Sequence, residues 1–223
     1  MGSAPPQRPP GPSPVDVRPV RRSPDEARAT PVAEGLWWLS LPLPYSPGHQ
    51  VNAFLFERDD GWCLVDTGSP LEGGLGVLEH ALSLAGVRLD HVSLLLCTHA
   101  HTDHYGLASA VIELAGCPLA MAAGHTAGVD VMREPAVPFE RRRALALAAG
   151  IPEEEVPQST RAPGDDGYYP RPDPDLVLAD GDLVPARGGG WRVVPAPGHS
   201  ATQVALLHER TRTLISADLV FAG

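Results

Sequence analysis

The run Val92-Ser93-Leu94-Leu95-Leu96-Cys97 is almost wholly apolar and passes directly into Thr98-His99-Ala100-His101-Thr102-Asp103-His104. A continuous apolar stretch of this length reads as a β-strand covered on both faces, which requires a layer of structure on each side of its sheet. The strand then ends in a polar loop that crowds four ligand-type side chains, His99, His101, Asp103 and His104, into six residues. Imidazole nitrogen and carboxylate oxygen together suit zinc, iron or manganese, and one loop is enough to begin such a site. His99 and His101 are two apart, so in an extended loop they project to one side and can share a metal. Asp103 and His104 turn back and can serve a second metal.

The rest of the chain reads around that strand. Residues 1–34 hold nine prolines, few large apolar residues and no usable periodicity, which predicts a disordered leader. Order is expected from Gly35-Leu36-Trp37-Trp38 onward, with Leu39 to Leu43 as the first strand. Val51 to Glu57 and Trp62 to Asp66 read as a hairpin around Asp60-Gly61. Leu75 to Ala85 is helical and stops at Gly86, and Leu107 to Ala115 is helical and stops at Gly116. Between them, strand, ligand loop and helix follow in the order that puts a site at the carboxyl end of a sheet strand. Pro118 to Ala122 is a further short strand. Residues 126–172, with a helix over Phe139 to Ala149 and a loop through Tyr168-Tyr169-Pro170, read as an insertion and a candidate lid. Strands follow at Leu176 to Leu178, Trp191 to Pro195, Gln203 to His208 and Thr213 to Ser216.

Composition narrows the class of function. The 223 residues are enough for a sizeable core, and the net charge is −10 with every one of the 17 basic residues an Arg. Arg141-Arg142-Arg143 is the one basic cluster, so a nucleic-acid partner is not expected. No apolar stretch approaches the length of a membrane span and the N-terminus is Pro-rich, so the expectation is a cytoplasmic chain without a membrane partner that acts on a small molecule. Cys63, Cys97 and Cys117 form no CxxC pair and read as buried, inert thiols.

Two late positions complete the pattern: His199 in Pro197-Gly198-His199-Ser200, after the strand Trp191 to Pro195, and Asp218 in Ser216-Ala217-Asp218, after the strand from Thr213. Together with Val65-Asp66-Thr67-Gly68 and the His99 to His104 run, these stretches resemble, in order and spacing, the motifs of the metallo-β-lactamase superfamily. The similarity covers about residues 35 to 223. Ala217 stands where that family usually has Gly.

The resemblance implies an α+β fold, a four-layer αββα sandwich of two mixed sheets with helices outside and metals at one edge. It implies that His99, His101 and His199 hold a first metal, and that Asp103, His104 and a bridging Asp218 hold a second. Asp66 would orient the ligand loop from behind, and Asp103 would also position a metal-bound hydroxide. The implied reaction is hydrolysis of an ester, thioester or lactone with one or two zinc ions, iron and manganese being the other metals this ligand set accepts. The form of the loop resembles glyoxalase-II-like and lactonase-like hydrolases more than secreted antibiotic-degrading members. A non-haem iron oxygenase or persulfide oxidiser, a nuclease, and an inactive family remnant are the alternatives. The family's last ligand, a His after the bridging Asp, has no counterpart among the five residues that follow Asp218. The expectation is therefore a truncated chain, with the last strand and helix of its second half missing.

Overall fold

Alternation along the central strands settles which layers the chain forms. Leu55, Leu64, Leu95, Leu119 and Met121 point into one apolar cluster, together with Val77, Leu78, Ala81, Leu82, Ala108 and Val111 of two helices. Their neighbours Phe56, Cys63, Val65, Leu94, Leu96, Ala120 and Ala122 point into a second cluster, with Trp191, Val193, Val204, Leu206 and Ile215. Successive side chains on a strand face opposite ways, so a strand apolar at every position is the one that feeds two cores. The run Val92 to Cys97, apolar at every position but Ser93, is such a strand.

The computed structural model describes residues 24–43, 50–70, 73–125, 136–153, 156 and 172–220. A large sheet holds β1 (Arg28–Ala33), β2 (Leu36–Pro42), β3 (Gln50–Arg58), β4 (Gly61–Val65), β5 (Val92–Leu96), β6 (Leu119–Ala122) and β7 (Leu176–Leu178), in that spatial order. Pairing is antiparallel from β1 to β4 and parallel from β4 to β7. The parallel half needs crossovers, which α1 (Gly74–Leu84), the single turn α2 (Thr102–Tyr105) and α3 (Ala108–Ala115) supply. Gly116 ends α3 in the left-handed conformation, φ 66°. Helix α4 (Ala136–Ala148) falls in the expected insertion. The candidate lid otherwise lies largely outside the described residues.

The second sheet is antiparallel, in the order β11 (Thr213–Ile215), β10 (Val204–His208), β9 (Gly189–Pro195), β8 (Leu183–Ala186). It packs face to face on the large sheet, with the rings of Phe56 and Trp191 stacked across the interface at 5.4 Å between centroids. Helix, sheet and sheet are thus three layers of the expected α+β sandwich. The outer face of the small sheet carries Leu183 and Leu214, 60% and 50% exposed.

Two expectations need correction. The Pro-rich leader does not extend to residue 34, because Arg28–Ala33 pairs along β2 as an edge strand. Its side chains are mostly exposed, so it is held by backbone pairing and leaves no apolar periodicity to read. Pro31 is tolerated there, since an edge strand has one unpaired side. The first strand of the sheet is therefore β1, not the Leu39 to Leu43 segment. Strand β8 was also not expected: of its four residues Val184 alone is buried.

Leu95 is fully buried between β4 and β6 in the helix-facing core. Leu95→Ala is expected to lower the unfolding free energy by about 2–5 kcal/mol in urea denaturation, the range for a leucine truncated in a packed core.

Candidate metal centre

Asp66 is the first residue beyond β4. Its amide donates to the Leu96 carbonyl at 2.9 Å, and it adopts φ 63°, a left-handed conformation that Asp tolerates better than most residues. The carboxylate is buried and accepts three hydrogen bonds of 2.8 Å: from the Thr98 amide, the Thr98 hydroxyl and His104 Nδ1. Thr98 Oγ1 also lies 3.1 Å from His99 Nδ1. The hydroxyl has one proton and gives it to Asp66, so it must accept from His99 Nδ1–H. One carboxylate thereby fixes two imidazoles, His104 directly and His99 through Thr98, and leaves the Nε2 atom of each to face the interior of the site.

The turn that carries these residues is clamped from behind. Thr67 donates through both its amide and its hydroxyl to the His104 carbonyl, at 2.8 and 2.9 Å, and its hydroxyl accepts from the Leu107 amide. Gly106 allows α2 to close on Pro70: a Cβ there would lie 2.2 Å from the Thr102 carbonyl and 2.4 Å from Pro70 Cδ. Tyr105 is buried and donates to the Pro172 carbonyl, which makes it a packing residue. Cys97 is likewise buried, and burial pushes its thiol well above its usual range.

The opposite wall comes from the small sheet. His199 lies in the turn between β9 and β10, whose base is closed by the Ala196 amide donating to Gln203 and the Val204 amide donating to the Thr98 carbonyl. Asp218 lies on a short helical turn after β11. The preceding Ala217 sits at φ 46°, the conformation a glycine would adopt freely. His101 Nδ1 is 3.0 Å from His99 Nε2 and 2.8 Å from His199 Nε2. Asp218 spans the gap between walls, with Oδ2 3.2 Å from His199 Nε2 and Oδ1 3.4 Å from His104 Nε2.

Two groups with metal-ligand spacing result: His99, His101 and His199, and His99, His104 and Asp218. His99 belongs to both, whereas the family resemblance implies two separate ligand sets. Asp103 is in neither group; its carboxylate is 37% exposed and lies 3.8 Å from His104 Nε2. Two nitrogens bound tetrahedrally at about 2.0–2.1 Å from zinc would be about 3.3 Å apart, close to the spacings of the imidazole trio. His104 Nε2 is buried, with Asp218 Oδ1 at 3.4 Å but no well-formed hydrogen bond, and a cation held between the two would complete it. The donor set fits a divalent cation.

Electrostatics divides the site in two. Burial, followed by the neighbouring imidazoles, lowers His99 to about 3, and burial with His199 also lowers His101. Both are thus neutral imidazoles, the form that binds metal. For His104, burial works against the charge, but Asp66 and Asp218 outweigh it and raise the pKa to about 10. Asp218 is held below the usual carboxylate range: burial opposes ionisation, and the imidazoles of His104, His99 and His199 overcome it.

The structure thus brings His99, His101, His104, His199, Asp218 and Asp66 into one site, with Asp103 at its rim. Thr98, which links Asp66 to His99, is not among the residues that the motifs single out. Its signal was its place, a hydroxyl residue between the strand and the first His.

This fold and this site define a family. The metallo-beta-lactamase superfamily model matches residues 46–223, and the chain belongs to that superfamily. It is 24% identical over 203 residues to the probable metallo-hydrolase YqjP of Bacillus subtilis, covering 83% of this chain and 57% of that protein. It is 25% identical over 212 residues to the acyl-coenzyme A thioesterase MBLAC2 of Bos taurus, covering 86% and 66%. A metallo-beta-lactamase family protein of Thermus thermophilus superposes with a TM-score of 0.66 at 31% identity, over 81% of this chain and 57% of that one. The chain therefore spans between 57% and 66% of the length of these three relatives.

Asp66→Ala would strand three buried donors at once and is expected to destabilise the protein by about 3 kcal/mol or more in urea denaturation. Gly106→Ala, which drives a methyl group into backbone and Pro70, is expected to cost about 1–3 kcal/mol by the same measurement.

Proposed function

We propose that this protein is a zinc-dependent hydrolase of acyl-type substrates, with thioesters as the preferred class among thioesters, esters and lactones. The observation that carries the reading is the convergence of the His99, His101 and His199 ring nitrogens beside the buried His104 Nε2 and the Asp218 carboxylate. Held by His99, His101 and His199, and by His104 with Asp218, zinc would polarise an acyl carbonyl and bring the pKa of water near neutrality. Asp103, at the rim 3.8 Å from His104 Nε2, is the carboxylate within reach of a water attacking that carbonyl, and its Oδ2 would accept and orient the proton. Asp66 keeps the two fixed imidazoles in the tautomer that directs Nε2 inward.

The thioester preference is supported by the similarity to a mammalian acyl-coenzyme A thioesterase, and hydrolysis more broadly by the Bacillus relative. A cytoplasmic setting agrees with three free, buried cysteines. Among the described residues no helix is long and apolar enough to cross a membrane.

His199→Ala and Asp103→Ala are each expected to abolish turnover of an acyl thioester. His199→Ala should also lower the zinc retained after dialysis, measured by elemental analysis. Unchanged activity in both variants would overturn the assignment.

A further inference from the structure

Resting on the thioesterase reading, we propose that the metal-end halves of β2 and β3 form a substrate floor that binds an extended, amide-bearing thiol, the leaving group of the thioester. Leu36 and Phe56 pair across β2 and β3, and both face the small sheet in the core between the sheets. With period two, Trp38 and Ser40 of β2, and Phe54, Asn52 and Gln50 of β3, lie on that same face. Phe54 still packs against the core between the sheets. Beyond it that face opens: Asn52 and Gln50 are exposed.

The open stretch is level with the imidazole cluster. Phe54 pairs with Val65, and Val65 with Leu96, so Asn52 stands at the height of Thr98 and Gln50 just past His99. Two strand spacings separate β3 from β5, about 10 Å. The small sheet does not cover this area. Its edge strand β8 pairs with the far half of β9 and meets β3 at Glu57 and Arg58, where the Arg187 amide donates to the Glu57 carbonyl.

The hydrogen bonding of the floor selects its ligand. Trp38 Nε1 donates to Asn52 Oδ1 at 2.8 Å, and Ser40 Oγ donates to Gln50 Oε1 at 2.6 Å. Both side-chain amides therefore have their oxygens engaged, and each presents an NH₂ with no partner among the described residues. Such a surface offers two donors beside an indole face. It suits an arm rich in carbonyl acceptors with apolar carbon between them, long enough to reach about 10 Å from the scissile carbonyl. A short thiol does not reach the floor, and an arm without carbonyls leaves its donors unmet.

The test uses the zinc-loaded chain of 223 residues and S-methylpantetheine, which carries two amides and no free thiol to reach the metal ligands. Calorimetric titration should show binding that Asn52→Leu and Gln50→Leu each weaken about five-fold, the worth of one neutral hydrogen bond. In parallel, the ratio of kcat/KM for acetylpantetheine to that for the acetyl thioester of mercaptoethanol should fall by a similar factor in each variant. Undiminished binding in both variants, or an unchanged ratio, overturns the floor. Hydrolysis of the mercaptoethanol thioester without S-methylpantetheine binding overturns the floor alone. Binding without hydrolysis of either thioester overturns the thioesterase reading and leaves the floor standing.

Discussion

The buried carboxylate of Asp66 is the interaction on which the site depends. A buried carboxylate is tolerable only when its lone pairs are occupied, and this one is met by a backbone amide, a hydroxyl and an imidazole at 2.8 Å each. The same three bonds that offset its desolvation orient the ligand loop. Because Thr98 gives its single proton to Asp66, the tautomer of His99 is set two bonds away from the carboxylate. His104 is set directly. The left-handed backbone at Asp66 follows from this role, since the chain must leave β4 and turn at once to bring the carboxylate under the end of β5.

The site has two walls of different origin. One is a short loop and a single helical turn rigidly tied to the end of a strand buried on both faces. The other consists of two turns on the small sheet, which deliver His199 and Asp218. Among the described residues, each of the two ligand groups takes members from both walls. The bond from the Val204 amide to the Thr98 carbonyl joins the walls at the point where both are needed.

Much of this was legible in the chain. The alternation of Leu94, Leu95 and Leu96 between two cores is the physical content of an uninterrupted apolar run, and Gly86 and Gly116 close their helices where expected. His199 and Asp218 were found through motif order, because nothing local distinguishes a ligand from a surface residue. What escaped was whatever rests on backbone or on a partner distant in sequence. Strand β1 is held by pairing to β2 and shows no pattern of its own, and β8 buries a single side chain. The sharing of His99 between two ligand groups depends on how the small sheet approaches, which spacing within one loop does not encode. Thr98 was visible as a residue type, but its role requires knowing that Asp66, 32 positions earlier, lies beneath it.

Since the two walls belong to different sheets, the width of the site is a property of the whole sandwich. The stacked rings of Phe56 and Trp191 act as a spacer between those sheets, with Phe56 in register with Cys63 and Leu94, five residues before His99. A packed interior does not compress, so a bulkier or smaller pair there would be transmitted as a change in the distance from His199 and Asp218 to the loop opposite. The spacing of the two ligand groups thus depends partly on two aromatic side chains that belong to neither.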